Sequence, residues 1–162
     1  MRVPAIKHEQ GWKGLVLTLH KLFTDLQPTE PILVLEDDCY MVRDISYMHK
    51  AIAQLPLNFD MLLLGANLKG NVHKRHRHLY RISGAWTTHA VYYNPNFIRR
   101  ITPHLPDLPI PIDEWYRRVV HPLRRSFVVA PMVAYQRPSI SDIEGTHNDY
   151  TNIFEASNRQ LR

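Results

Sequence analysis

The sequence predicts an α/β domain built on a mixed sheet. Short apolar runs rich in branched residues, such as Ile32 to Leu35, Phe59 to Leu64 and Phe127 to Ala130, alternate with segments of helical apolar spacing. Prolines and glycines mark most of the boundaries between them. With 162 residues, 44% of them apolar and 22% charged, the chain can enclose one core and is too apolar for wholesale disorder. A single domain over 1–162 is expected.

The elements follow in order. Leu15, Leu19, Leu22, Phe23 and Leu26 recur at helical spacing, so a helix is expected over about 13–26. Pro28 and Pro31 end it. Ile32 to Leu35 is a continuous apolar run, which reads as a buried strand, parallel and central. Asp44 is placed to cap a helix carrying Ile45, Met48, Ile52 and Leu55 on one face, stopped by Pro56. Phe59 to Leu64 reads as a second buried strand closed by Gly65. Leu79 to Ser83 and Thr88 to Tyr93 read as two more, joined through Gly84 and Trp86. Asn94 and Pro95 form an N-cap and first-turn pair for a helix to about His104. After the prolines at 103, 106, 109 and 111, Asp113 is placed to cap a helix through Val120. Phe127 to Ala130 is a short strand. From Tyr135 onward the chain turns polar and reads as mostly irregular.

No apolar stretch approaches the ~18 residues of a membrane span, and residues 1–10 carry no apolar signal core, so a cytosolic protein is expected. The single cysteine, Cys39, excludes an internal disulfide framework and a multi-cysteine zinc site. No base is placed by local sequence to make it a catalytic thiol. The net charge of +5 is uneven, because Lys69, His73, Lys74, Arg75, His76, Arg77, His78 and Arg81 fall in one stretch. Such a run suits phosphates or an acidic partner, and a solvated loop explains it equally. Only Tyr80 offers an aromatic nearby, so nucleic-acid binding is not expected. Gly70, the neighbouring asparagines and the lack of apolar periodicity predict a mobile loop from Lys69 to Arg81, on the open side of the site.

Four segments carry candidate chemistry. The first is Leu33-Val34-Leu35-Glu36-Asp37-Asp38, three carboxylates directly after a strand. Ligands of open α/β sheets bind beyond the carboxyl ends of strands. Alternation lets Glu36 and Asp38 face one site. Clustered carboxylates raise each other's pKa unless a cation offsets them, and hard oxygens suit magnesium or manganese. An acidic turn capping a helix is the plainer alternative. The second is Gly84-Ala85-Trp86-Thr87-Thr88-His89-Ala90, where Trp86 has the surface to stack on a sugar or base. A core tryptophan in a tight turn and a packed histidine fit the same residues. The third is Asp113-Glu114 after a proline-stiffened loop, either a candidate base pair or simple helix capping. The fourth is the polar run from Gln136 to Gly145, a surface loop or a substrate-facing closure segment. Sequence signatures of phosphate-loop enzymes, Rossmann dehydrogenases and α/β-hydrolases do not occur.

Taken in order, these segments resemble glycosyltransferase family 25, which includes bacterial lipopolysaccharide sugar transferases and collagen galactosyltransferases. Leu33–Asp38 is similar to that family's apolar strand ending in Glu-Asp-Asp. Asp60-Met61-Leu62-Leu63-Leu64-Gly65 is similar to its next strand, and Thr88-His89-Ala90-Val91-Tyr92 to its Thr-His-Ala-Tyr segment. Asp113 matches its acidic residue after a proline-rich loop, and Gln136 through Asp142 its closing segment. The resemblance spans about residues 8–147. It implies a GT-A fold with a mixed central sheet, a nucleotide-sugar donor (a UDP-sugar), a glycan or glycoconjugate acceptor, a divalent metal (manganese or magnesium) and inverting transfer.

In that frame Asp38 is the metal ligand and Glu36 contacts the metal or the donor ribose. Asp113 deprotonates the acceptor, with Glu114 as the substitute. Asp37, Trp86, Thr88, His89, Gln136 and Asp142 line the donor and acceptor sites. Relative to the family the usual first strand and helix are lacking. The strand Ile32 to Leu35 is therefore expected to lose a neighbour, and the isolated chain to be a weak transferase or a homodimer. The competing readings are an inactive relative that binds carbohydrate or a protein partner, and a metal-dependent phosphoryl-processing enzyme.

Overall fold

The computed structural model describes residues 1–140 and 147–161. In chain order the elements are α1 (Gly11–Leu26), β1 (Ile32–Leu35), β2 (Cys39–Met41), α2 (Ser46–Ile52), β3 (Met61–Leu63), β4 (Asn67–Leu68), β5 (Val72–His76), β6 (Leu79–Ile82), β7 (Ala85–Trp86) and β8 (Ala90–Tyr93). There follow α3 (Pro95–Ile101), a 3-10 segment (Thr102–Asp107) and α4 (Ile112–Trp115), which runs into a π-helical turn (Tyr116–Val120) and a short 3-10 turn (His121–Leu123). The chain closes with β9 (Ser126–Val129), β10 (Ala134–Gln136), β11 (Ser139–Ile140), β12 (His147–Asn148) and α5 (Thr151–Arg159).

The fold is α/β around a six-stranded mixed sheet in the order β1-β8-β3-β9-β6-β5. The β3–β9 pair is parallel, and the other pairs in this sheet are antiparallel. Strand alternation separates two apolar faces. Met61, Leu63, Val91, Tyr93 and Val128 face α1, α3 and the π-helical turn, joined by Val16, Leu19, Phe23, Phe97 and Tyr116. Leu62, Leu64, Leu79, Phe127 and Val129 face α2, with Met48 and Ala51. Among the described residues no helix is long and apolar enough to cross a membrane.

Several expectations hold in detail. β1 has the predicted bounds, and α1 and α3 begin and end close to where apolar spacing and Pro95 place them. Asn94 caps α3, its side chain accepting from the Asn96 N–H at 2.8 Å. Four expectations are corrected. β1 is neither central nor parallel to its neighbour; it is an edge strand paired antiparallel with β8. Its side chains are only half-buried and Leu35 is 48% exposed, because an edge strand is covered on fewer sides.

The basic run from Lys69 to Arg81 is mostly a hydrogen-bonded hairpin, β5–β6, at the opposite edge of the sheet from β1. Only Val72 of β5 is part-buried, and the charged residues on this outer strand keep a second sheet from pairing with it. Asp113 is not a cap. Pro111 occupies that position, and Asp113 lies inside the first turn with its carboxylate accepting the Glu114 N–H at 2.8 Å. The C-terminal stretch is not irregular, since α5 seats Phe154, fully buried, against Tyr135 with ring centroids 5.1 Å apart.

His121 is 2% exposed and packs beside Tyr116. Burial lowers its pKa to about 4, opposed by a hydrogen bond to the Ala85 backbone. The unfolded chain protonates this ring below about 6.5 while the folded chain keeps it neutral. The stability this ring carries is complete above 6.5 and falls as the pH drops towards 4, by up to about 3 kcal/mol. A His121→Gln variant should therefore show a flatter pH dependence of urea unfolding than the parent between about pH 7 and about pH 4.5. Parallel curves would contradict this account.

Candidate active site

The site forms because β8 enters the sheet at the end where β1 leaves it. Antiparallel pairing sets Leu35 opposite Ala90, so the residues after β1 meet the residues before β8. The Glu36 N–H donates to the His89 carbonyl at 2.9 Å, which continues the ladder by one step. Thr88 Oγ1 then donates to Glu36 Oε1 at 2.7 Å and fixes the carboxylate.

A second pairing brings in the fourth segment. β2 and β10 form a two-stranded antiparallel sheet with Cys39 opposite Gln136. Gln136 Nε2 donates to Asp38 Oδ2 at 2.7 Å, and the Arg137 N–H donates to the Asp38 carbonyl at 2.8 Å. The chain reaches this position by crossing close over the end of β3. A Cβ on Gly65 would stand 1.8 Å from the Ala134 carbonyl oxygen, so only glycine fits there.

The third segment clamps the loop after β7. Thr87 adopts a left-handed backbone, φ 82°, unusual for a branched residue. The Asp113 carboxylate accepts a backbone hydrogen bond from Thr87. Next to it, Trp86 Nε1 donates to Glu114 Oε2 at 2.8 Å. Two adjacent carboxylates on α4 thus hold the last residue of β7 and the residue that follows it. The backbone of Thr87 and the cations around Trp86 are parts of the site that sequence reasoning missed. Lys69 Nζ lies 4.7 Å from the indole centroid and the Arg117 guanidinium 5.9 Å from it. No local pattern signals either contact.

The electrostatics separate these groups. Burial raises Glu36 to about 7; the Thr88 hydrogen bond opposes this, and the charges of Asp38, Asp113 and Asp37 add to it. Asp113 therefore lies close enough to Glu36 for their charges to interact. Burial also raises Asp38 above its ordinary value, against the Gln136 hydrogen bond. Asp113 is raised by burial too, partly offset by the N–H groups of Glu114 and Thr87. Glu114 is the opposite case. Arg117 holds it with bonds of 2.6 and 2.7 Å, and with Trp86 and Arg118 pushes it well below the carboxylate range. Burial and the neighbouring Asp38 and Glu36 push the Cys39 thiol up to about 11, which leaves it a poor nucleophile.

The structure therefore brings together Glu36, Asp38, Thr88, Gln136 and Asp113, with Asp37 exposed at the rim. Trp86 and Glu114 flank them. His89 is turned away. It is 1% exposed, stands edge-on to Phe154 at 5.1 Å, and lies 3.3 Å through Nε2 from the Ala134 carbonyl oxygen. Burial lowers it to about 4, so its contribution is packing and the backbone carbonyl that meets Glu36. Asp142 lies outside the described residues.

Among the described residues, no three His, Cys, Asp or Glu side chains are grouped to hold a metal by themselves. One observation does fit a divalent cation. Asp38 Oδ1 is buried and has no hydrogen-bond partner, whereas Oδ2 accepts from Gln136. A buried carboxylate oxygen left unpaired is costly, and a hard cation is the partner such an oxygen suits. No protein-family model matches the sequence, and no curated protein matches it.

Proposed function

We propose that this domain is a metal-dependent glycosyltransferase of GT-A type, moving a sugar from a nucleotide-sugar donor to a hydroxyl of a glycan or glycoconjugate with inversion. The observation that carries this reading is the meeting of Glu36 and Asp38 with Asp113, which comes from a segment far along the chain, with Asp38 Oδ1 buried and unpaired. A simple acidic turn would leave Asp113 elsewhere. The resemblance to family 25 gives the same residues the same neighbourhood. It also places a further strand beside the one that carries the acidic motif, and the outer edge of β1 carries no strand among the described residues.

Asp38, with Glu36 beside it, would hold manganese or magnesium. The ion would offset the charge that builds on the leaving diphosphate. Thr88 and Gln136 orient the two carboxylates, a supporting shell of the kind such sites need. Asp113 accepts the proton of the acceptor hydroxyl. The acceptor oxygen bonds to the anomeric carbon, the bond from that carbon to the diphosphate oxygen breaks, and the nucleoside diphosphate departs. A buried carboxylate with a raised pKa suits proton acceptance. Glu114 does not, since two arginines and an indole hold it ionised. Trp86, 37% exposed, offers the remaining stacking surface for a sugar or base.

The test is a thermal-shift screen of nucleotide sugars with manganese, with magnesium and with chelator. Stabilisation by a nucleotide sugar only in the metal wells is expected. Stabilisation by free glycans without metal or nucleotide would instead mark a carbohydrate-binding relative. Cleavage of the donor with no acceptor present would mark a phosphoryl-processing enzyme.

A further inference from the structure

A second feature lies at the far side of the sheet, four strands from β1, a separation of roughly 19 Å at normal strand spacing. There the segment after α2, the β5–β6 hairpin and the turn before β9 enclose a cleft of about 360 Å³. Arg75, His76, Arg81, Arg124 and Arg125 line it, together with Gln54. Two of these positions are explained by the fold. Arg81 lies on the same face of β6 as Leu79, because alternate residues of a strand share a face. Arg124 adopts a left-handed backbone, φ 61°, at the turn that starts β9.

The charge in this cleft is not balanced locally. Asp60 is 1% exposed and pairs with Arg125 at 3.2 Å, but it is shared with Arg100 at 2.6 Å. Among the described residues the guanidinium groups of Arg75, Arg81 and Arg124 form no hydrogen bond or ion pair, and Arg81 Nε is buried without a partner. Like charges held together around a concave space focus a positive potential. A buried guanidinium N–H without an acceptor needs one, and the planar donor fork of arginine matches the oxygens of a phosphate group.

We propose that this cleft is an anion-binding site for a phosphate ester, with Arg75, Arg81 and Arg124 as its ligating side chains. The site is separate from the acidic cluster and does not depend on the transferase reading. Its ligand is either a soluble phosphate compound or a phosphate carried in a lipid headgroup.

The probe is inorganic pyrophosphate, titrated at low salt with chelator present so that metal-dependent binding at Asp38 cannot contribute. The readout is the arginine Nε–Hε resonances of the full chain. A saturable shift that includes Arg81 is expected. An Arg81→Gln, Arg124→Gln double variant should bind at least ~10-fold more weakly. Arg124→Gln alone, on an exposed side chain, should weaken binding in the same direction without any risk to β6. A Lys7→Gln, Lys21→Gln variant removes the same charge elsewhere and should bind like the parent. Equal weakening in both double variants would show a diffuse charge effect and overturn the site, as would no saturable shift up to roughly 10 mM. Co-sedimentation with phosphatidylglycerol vesicles separates the two sources. Vesicle binding that the arginine variants lose assigns the site to a headgroup, and pyrophosphate binding without vesicle binding assigns it to a soluble ligand.

Discussion

Asp113→Asn should lower turnover by roughly 100-fold or more while donor affinity stays nearly unchanged, the range expected when a general base is removed. The substitution is a mild one structurally. Asp113 accepts N–H groups from Glu114 and Thr87, and an asparagine side-chain oxygen still accepts. The loop at Thr87 should therefore keep its shape. What disappears is the ability to take a proton. The parent rate should rise with pH as Asp113 loses its proton, and this limb should sit above the ordinary aspartate value because burial raises the group. A loss confined to donor affinity would make Asp113 a binding residue, and a loss confined to stability would leave it a turn-holding residue. Glu114→Gln provides the contrast. It removes the charge and one of the two acceptor oxygens that hold Trp86, Arg117 and Arg118, so it should act through the position of the indole and not through the pH profile.

Asp38→Asn should weaken manganese-dependent nucleotide binding by roughly 100-fold or more and leave the fold intact. The amide oxygen can still accept from Gln136, which preserves the link between β2 and β10. The amide nitrogen then occupies the place of the unpaired Oδ1, where a cation finds no ligand. Since burial already disfavours the charged carboxylate, the variant should be no less stable than the parent. Gln136→Ala is the milder companion. It leaves the charge and removes the orienting bond, so affinity should fall by about 10-fold, as for lost partners behind other metal ligands.

The parts of this fold that could be read from sequence are those in which local pattern and tertiary role agree. Ile32 to Leu35 is apolar and branched, so its strand bounds were legible. Its place in the sheet was not, because an apolar strand half-covered at an edge has the same composition as a buried one. The hairpin at Val72–His76 was hidden for the opposite reason. Its edge carries lysine, arginine and histidine where strands usually carry apolar residues, and Gly70 pointed to a loop. α5 was missed because only Phe154 and Ser157 of its described residues are buried, with Leu161 just beyond its end, too few for a periodic signal.

The site follows the same rule. The acidic segment, the Thr88–His89 segment, Asp113 and Gln136 were each visible as polar groups beside apolar strands. That they meet depends on the antiparallel entry of β8 and on the glycine at 65 that lets β10 cross, neither of which is a property of any one segment. His89 shows the limit most clearly. The family resemblance puts His89 among the ligand-contacting residues, yet the alternation that turns Thr88 toward Glu36 turns His89 toward Phe154.

The central claim is that the acidic cluster at the end of β1 holds a metal that in turn holds a diphosphate. Isothermal titration of the parent with a nucleoside diphosphate, in manganese and again in chelator, tests it most directly. Saturable binding in manganese that vanishes in chelator, and that Asp38→Asn weakens by roughly 100-fold or more, is the predicted result. Binding of equal strength in chelator, or binding in manganese that Asp38→Asn leaves unchanged, would contradict it.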